Sequence, residues 1–97
     1  MINKIQLTEN LSLQSLDDNF FEDEKLITVH CSFLFFGKKC EAYVGVEDLQ
    51  PDRPRFSMIE SCGELHRSFT DLLEEEHIWN IIYAQICLYK NWWYQQL

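Results

Sequence analysis

The side chains of this chain that could do chemistry are three histidines, four cysteines and sixteen carboxylates, spread over 97 residues. Zinc centres draw their ligands in close pairs such as C-x2-C or H-x3-H. The nearest approach is Cys62 with His66, and His77 follows eleven residues later. One such pair does not make a site, so neither a metal nor another cofactor is expected. Nucleophilic catalysis would need a Cys or Ser held against a His that a third group orients. His30 is the best candidate, because strand alternation puts it on one sheet surface with Tyr43 and Glu47, an imidazole beside a phenol and a carboxylate. Polar sheet faces carry such groups by default. No phosphate loop, dinucleotide fingerprint or G-x-S-x-G turn occurs, and the expectation is a protein without enzymatic activity and without catalytic residues.

The stretch that must position these groups runs from Lys25 to Gln50. In Ile27, Val29, Cys31, Phe33 and Phe35 every second residue is apolar, the period of a strand with one buried face. Cys40, Ala42, Val44 and Val46 repeat the pattern. A two-residue loop at Gly37-Lys38, with Gly first, is a type II′ signature and predicts Phe35 opposite Cys40, Phe33 opposite Ala42, Cys31 opposite Val44 and Val29 opposite Val46. In that register His30 faces Gly45, Thr28 faces Glu47 and Ser32 faces Tyr43.

Upstream, Ile5 and Leu7, then Leu11, Leu13 and Leu16, alternate around Thr8-Glu9-Asn10, as two short strands and a turn would. Leu13 and Leu16 also fit a short helix. Asp17 to Glu24 reads as an acidic loop with Phe20 or Phe21 pinned to the core. Beyond the hairpin, Pro51 and Pro54 forbid regular structure. Arg55 to Cys62 reads as a further strand with Phe56 and Met58 in phase. Leu65, Phe69, Leu72 and Leu73 then form an amphipathic helical stripe, with Ser61 and Glu64 spaced as a capping box. From Glu74 onward both periods fit. Helix is preferred because Glu74, Glu75 and Glu76 suit a helix N-terminus and the run is long for a strand. A helix apolar on most sides should be largely buried. The predicted fold is α+β, a single domain over 1–97: a small antiparallel sheet on a long central hairpin (about 25–49), with a C-terminal helical region packed on one face.

Charge carries the functional expectation. Sixteen acidic against eight basic residues leave a net charge of -8, a field that repels nucleic acid and anionic membrane and attracts basic partners. No secretory signal or membrane span is visible, which places the protein in the cytoplasm with reduced cysteines. The carboxylates cluster at Glu22-Asp23-Glu24 and at Glu47-Asp48, and the hairpin register brings both to one end. Phe36, Tyr43, Trp92 and Trp93 supply more large side chains than one small core needs, hence candidate anchors. These nine residues are the expected partner-binding set. In size, charge and lack of catalytic motif the chain resembles immunity proteins that neutralise bacterial toxins, and inhibitors of phage-defence nucleases share those features. This is a likeness of type that no stretch of residues carries. It implies an inhibitor of a basic or nucleic-acid-binding site on a partner such as a nuclease. The alternative is a homo-oligomeric structural or chaperone-like domain, with a homodimer as its simplest form.

Overall fold

The structure is a computed structural model that describes the backbone of residues 4–21, 26–45, 50–52, 56, 58–60 and 63–95, and the side chains of these except 18–21, 26–28 and 90–95. Five strands, β1 (Ile5–Gln6), β2 (Leu11–Phe21), β3 (Leu26–Phe35), β4 (Lys38–Gly45) and β5 (Met58–Glu60), form one antiparallel sheet in sequence order. A 3-10 turn at Gly63–Leu65 leads into α1 (His66–Glu74), and α2 (Glu76–Gln95) follows. This is the expected α+β arrangement, with the helices packed on one face of an open sheet. Alternation explains it: Val29, Cys31, Phe33 and Phe35 from β3 and Cys40, Ala42 and Val44 from β4 are buried in one cluster with Phe69, Leu73, Ile78, Trp79, Ile82 and Ile86 from the helices.

The hairpin turns one residue earlier than predicted. Phe35 pairs with Lys38, Phe33 with Cys40, Cys31 with Ala42 and Val29 with Val44, so the loop is Phe36-Gly37. Both loop residues have positive φ, 51° and 75°, the signature of type I′ rather than II′. Moving the turn by one residue shifts each pairing by two, and side chains alternate with period two. The described residues of the two strands therefore stay on their predicted faces while their cross-strand partners change. His30 lies opposite Tyr43, not Gly45; Thr28 lies opposite Gly45, not Glu47; and Ser32 lies opposite Glu41, not Tyr43. Phe36 is thus a turn residue at the hairpin tip and not part of a strand face. Its N–H donates to the Asn10 carbonyl at 2.9 Å, and its ring packs on Phe35 with centroids 4.7 Å apart. The neighbouring β1–β2 turn is held by Thr8, whose Oγ1 accepts the N–H groups of Asn10 and Leu11 at 3.2 and 3.1 Å.

Two further differences have local causes. Leu13 and Leu16, spaced as on a helix, both face the core from β2, because the register slips by one residue between Leu13 and Ser15. The β-bulge at Gln14 adds the odd residue that breaks strict alternation. The expected acidic loop is strand as far as Phe21, with Asp17 paired to His30 and Phe21 to Leu26. In β5 the phase is reversed: Ile59, opposite Ala42, packs against the core, whereas Met58, opposite Tyr43, is 51% exposed.

The helical layer contains a corner. Glu75 is extended (φ -68°, ψ 133°) between α1 and α2, so the three consecutive glutamates straddle a break and only Glu76 lies in the first turn of α2. The Glu75 N–H donates to the Leu72 carbonyl, and the Glu75 carbonyl accepts the Trp79 N–H. Both helix ends at the corner thus gain a backbone bond without Gly or Pro. The residue preceding α1 is Leu65, which makes no side-chain capping bond; Ser61 of the expected capping box lies outside the described residues. Trp79, 1% exposed, donates its indole N–H to the Gln50 carbonyl at 2.8 Å and packs edge-on against Phe56. One side chain thereby fastens the segment after β4 to the helix. Phe36 holds a left-handed conformation that costs a non-glycine residue roughly 1 kcal/mol. Phe36→Asn is therefore expected to raise the unfolding free energy by about 1 kcal/mol and Gly37→Ala to lower it by a similar amount, read from urea midpoints. A less stable Phe36→Asn variant would contradict the type I′ assignment.

Candidate protein-interaction face

The face of the sheet turned away from the helices carries two rows of side chains across the strands. Asp17, His30, Tyr43 and Met58 lie in register from β2 to β5, and Ser15, Ser32, Glu41 and Glu60 form the next row. His30 sits at the centre. Its ring stacks on Tyr43 with centroids 4.7 Å apart and 28° between planes. Its Nδ1 is 3.9 Å from the Asp17 carboxylate, and its Nε2 is 3.5 Å from Glu41 Oε1. Nε2 is enclosed and makes no hydrogen bond of good geometry, so what it has is the field of Glu41. Lys39, two residues along β4 and on the same face, places Nζ 3.3 Å from Glu41 Oε1.

Glu41 and Glu60 face each other directly across β4 and β5, a position where like charges are unfavourable. Burial works against ionising Glu41. A hydrogen bond from Lys39, the charges of His30 and Lys39, and a hydrogen bond with Glu60 outweigh it and hold the Glu41 carboxyl below its ordinary value of 4.5. The Tyr43 phenol moves the other way: burial, the negative charges of Glu41 and Glu60 and a hydrogen bond to Glu41 raise it above 10. The face is thus a part-buried aromatic pair ringed by three carboxylates, with exposed Met58 at its side.

The cysteines lie elsewhere. Cys31 and Cys40 are buried on the helix side, and burial pushes the Cys31 thiol up to about 12, which removes the thiolate that nucleophilic chemistry needs. Among the described residues no group of three or more Cys, His, Asp or Glu could hold a metal ion; Cys62 lies outside them. None of the described helices is long and apolar enough to cross a membrane.

Of the expected partner-binding residues, Tyr43 lies on this face, and Phe36 stands 55% exposed at the hairpin tip. Trp92 and Trp93 are in α2, with side chains outside the described residues. Glu22, Asp23, Glu24, Glu47 and Asp48 also lie outside them. The residues that flank those acidic segments, Phe21, Leu26 and Gly45, sit together at one end of the sheet, because Phe21 pairs with Leu26 and Gly45 with Thr28. Asp17, Glu41, Met58 and Glu60 are the members of the face that sequence reasoning missed. Glu41 was within reach, since it shares the strand phase of Tyr43; Asp17 required the bulge, and Glu60 the true phase of β5.

No family model matches this chain, and no curated protein or solved structure does.

The pKa directions set a pH dependence. A carboxyl lowered by folding contributes stability above the unfolded value of 4.5 and loses it as pH falls through the folded one, whereas the raised Tyr43 phenol contributes below 10 and loses it as pH rises further. Glu41→Gln is expected to make the urea midpoint less sensitive to acidification below pH 4.5. A variant as acid-sensitive as the wild type would show that Glu41 is not the linked group.

Proposed function

We propose that this chain is a non-enzymatic, acidic protein-binding inhibitor that covers a basic or nucleic-acid-binding site on a partner protein. The observation that supports it is the polar sheet face, where Asp17, Glu41 and Glu60 from three strands surround Tyr43 and Met58. Side chains on paired strands hold their positions at little entropic cost on binding, and an aromatic centre with a charged surround is the arrangement in which anchors carry affinity and charges carry rate. Only Lys39 among the charged groups named on this face is cationic, and it is already paired with Glu41. The face therefore suits Lys and Arg around a nuclease cleft or a similar site, in the manner of an immunity protein or an anti-defence inhibitor. The acidic segments 22–24 and 47–48, before and after the hairpin strands in sequence, add to the chain's net negative charge. The partner is expected in the cytoplasm, with no nucleic acid or membrane bound.

Two measurements test the reading. Capture from a host lysate should recover one basic protein, lost as salt rises. With that protein in hand, the double charge reversal Glu41→Lys/Glu60→Lys should slow association by about tenfold or more and flatten its salt dependence. Unchanged association rates would remove the polar face from the interface.

A further inference from the structure

The centre of the polar sheet face is a titratable ring with a carboxylate at each nitrogen. From β2, Asp17 lies 3.9 Å from His30 Nδ1, and from β4, Glu41 Oε1 lies 3.5 Å from His30 Nε2. Tyr43, also of β4, stacks on the plane of the ring. Behind Glu41 stand Lys39, whose Nζ is 3.3 Å from the same Oε1, and Glu60 of β5, directly opposite. Carboxylate oxygens only accept hydrogen bonds. A neutral imidazole has one N–H to give, so one of its nitrogens is left as an acceptor turned towards an acceptor. Solvent does not relieve this at Nε2, which is enclosed and makes no hydrogen bond. An imidazolium has two N–H groups, one for each carboxylate, and would bridge β2 to β4.

We propose that His30 is a proton-operated switch on the partner-binding face: neutral, it leaves Asp17, Glu41 and Glu60 to a partner's Lys and Arg; protonated, it draws Asp17 and Glu41 to itself and the partner is released. This inference rests on the reading of the face as an inhibitor's binding surface. Imidazole is the side chain that changes charge between about pH 8 and pH 5. Glu41, held below 4.5, stays ionised through that range. The sign follows from linkage: a cationic partner favours the face that lacks the extra proton, so acidification favours the unbound chain. The imidazolium also competes with Lys39, since both reach the same Glu41 oxygen. His66 and His77 belong to the helices on the other side of the sheet, and their titration is the same whether or not His30 is present.

Two readouts on the full chain test this. In wild-type protein followed by NMR, the side-chain carboxyl carbons of Asp17 and Glu41 and the ring protons of Tyr43 should move together with the His30 ring as pH falls from about 8 to about 5. Carboxyl signals that ignore the His30 titration overturn the proposal, and this readout needs no variant. For binding, a short oligolysine peptide at low salt serves as the basic probe. Its dissociation constant should rise about fivefold or more over the same pH range, with Tyr43 and Met58 shifted by the peptide, and His30→Gln should remove most of that rise. An equal pH dependence in His30→Gln overturns the proposal, as does a peptide that leaves Tyr43 and Met58 unshifted. The two readings fail separately. If lysate capture recovers no basic protein while oligolysine binding depends on His30, the inhibitor role falls and the proton dependence of the face stands. If a captured partner binds equally well at both ends of the pH range, the inhibitor role stands and the switch falls.

Discussion

One constraint underlies the whole structure: the apolar row shared by β3 and β4 must be taken out of water, and the sheet cannot do this alone. A hairpin with one greasy face is marginal until something packs on it. The strands that flank it, β2 and β5, extend the row with Leu11, Leu13, Leu16 and part-buried Ile59, but they widen the face without covering it. The cover comes from α1 and α2. Phe69 meets Phe33 edge-on and lies near Phe35, and Trp79, the largest fully buried side chain among the described residues, closes the layer. An indole buried there needs an acceptor for its N–H. The Gln50 carbonyl supplies it, which fastens Gln50, between β4 and β5 in the chain, to the helix.

The same alternation that builds the core builds the opposite face. Each apolar residue committed to the helices leaves its neighbour on the other side, so Cys31 and Ala42 face inward while His30, Glu41 and Tyr43 face outward. The core therefore supports the candidate interface mechanically: the outward groups are held by strands whose inward side chains are locked. It also isolates chemistry. The Cys31 and Cys40 thiols on the inner side are shielded, while the titratable groups His30, Glu41 and Tyr43 of the same strands are on the outer one.

Asymmetry within α2 is the other organising feature. Its sheet side buries Ile78, Trp79, Ile82, Ile86 and Tyr89, while Ile81 and Leu88 stand exposed on its outer side beside exposed His77 and Asn80. Acidic sheet face and uncharged helix face point in nearly opposite directions.

How much of this was legible in the sequence follows from the range of each signal. Alternation is a property of near neighbours, so the sequence alone determined the α+β class, the strands of the hairpin, the buried row and the helix that begins near Leu65. It also determined that His30 and Tyr43 share a face, because parity survives any shift of the turn by one residue. Pairing is decided between strands. Whether Phe36 or Gly37 opens the turn depends on closing the ladder with Lys38 and on the bond from Phe36 to Asn10, neither of which a local pattern contains. The bulge at Gln14, the reversed phase of β5 and the corner at Glu75 are likewise answers to packing against a layer distant in the chain. Only the tertiary structure could therefore bring Asp17, Glu41 and Glu60 around the His30–Tyr43 pair, since their meeting requires four strands in one register, and register is fixed by contacts between segments and not by the composition of any one of them.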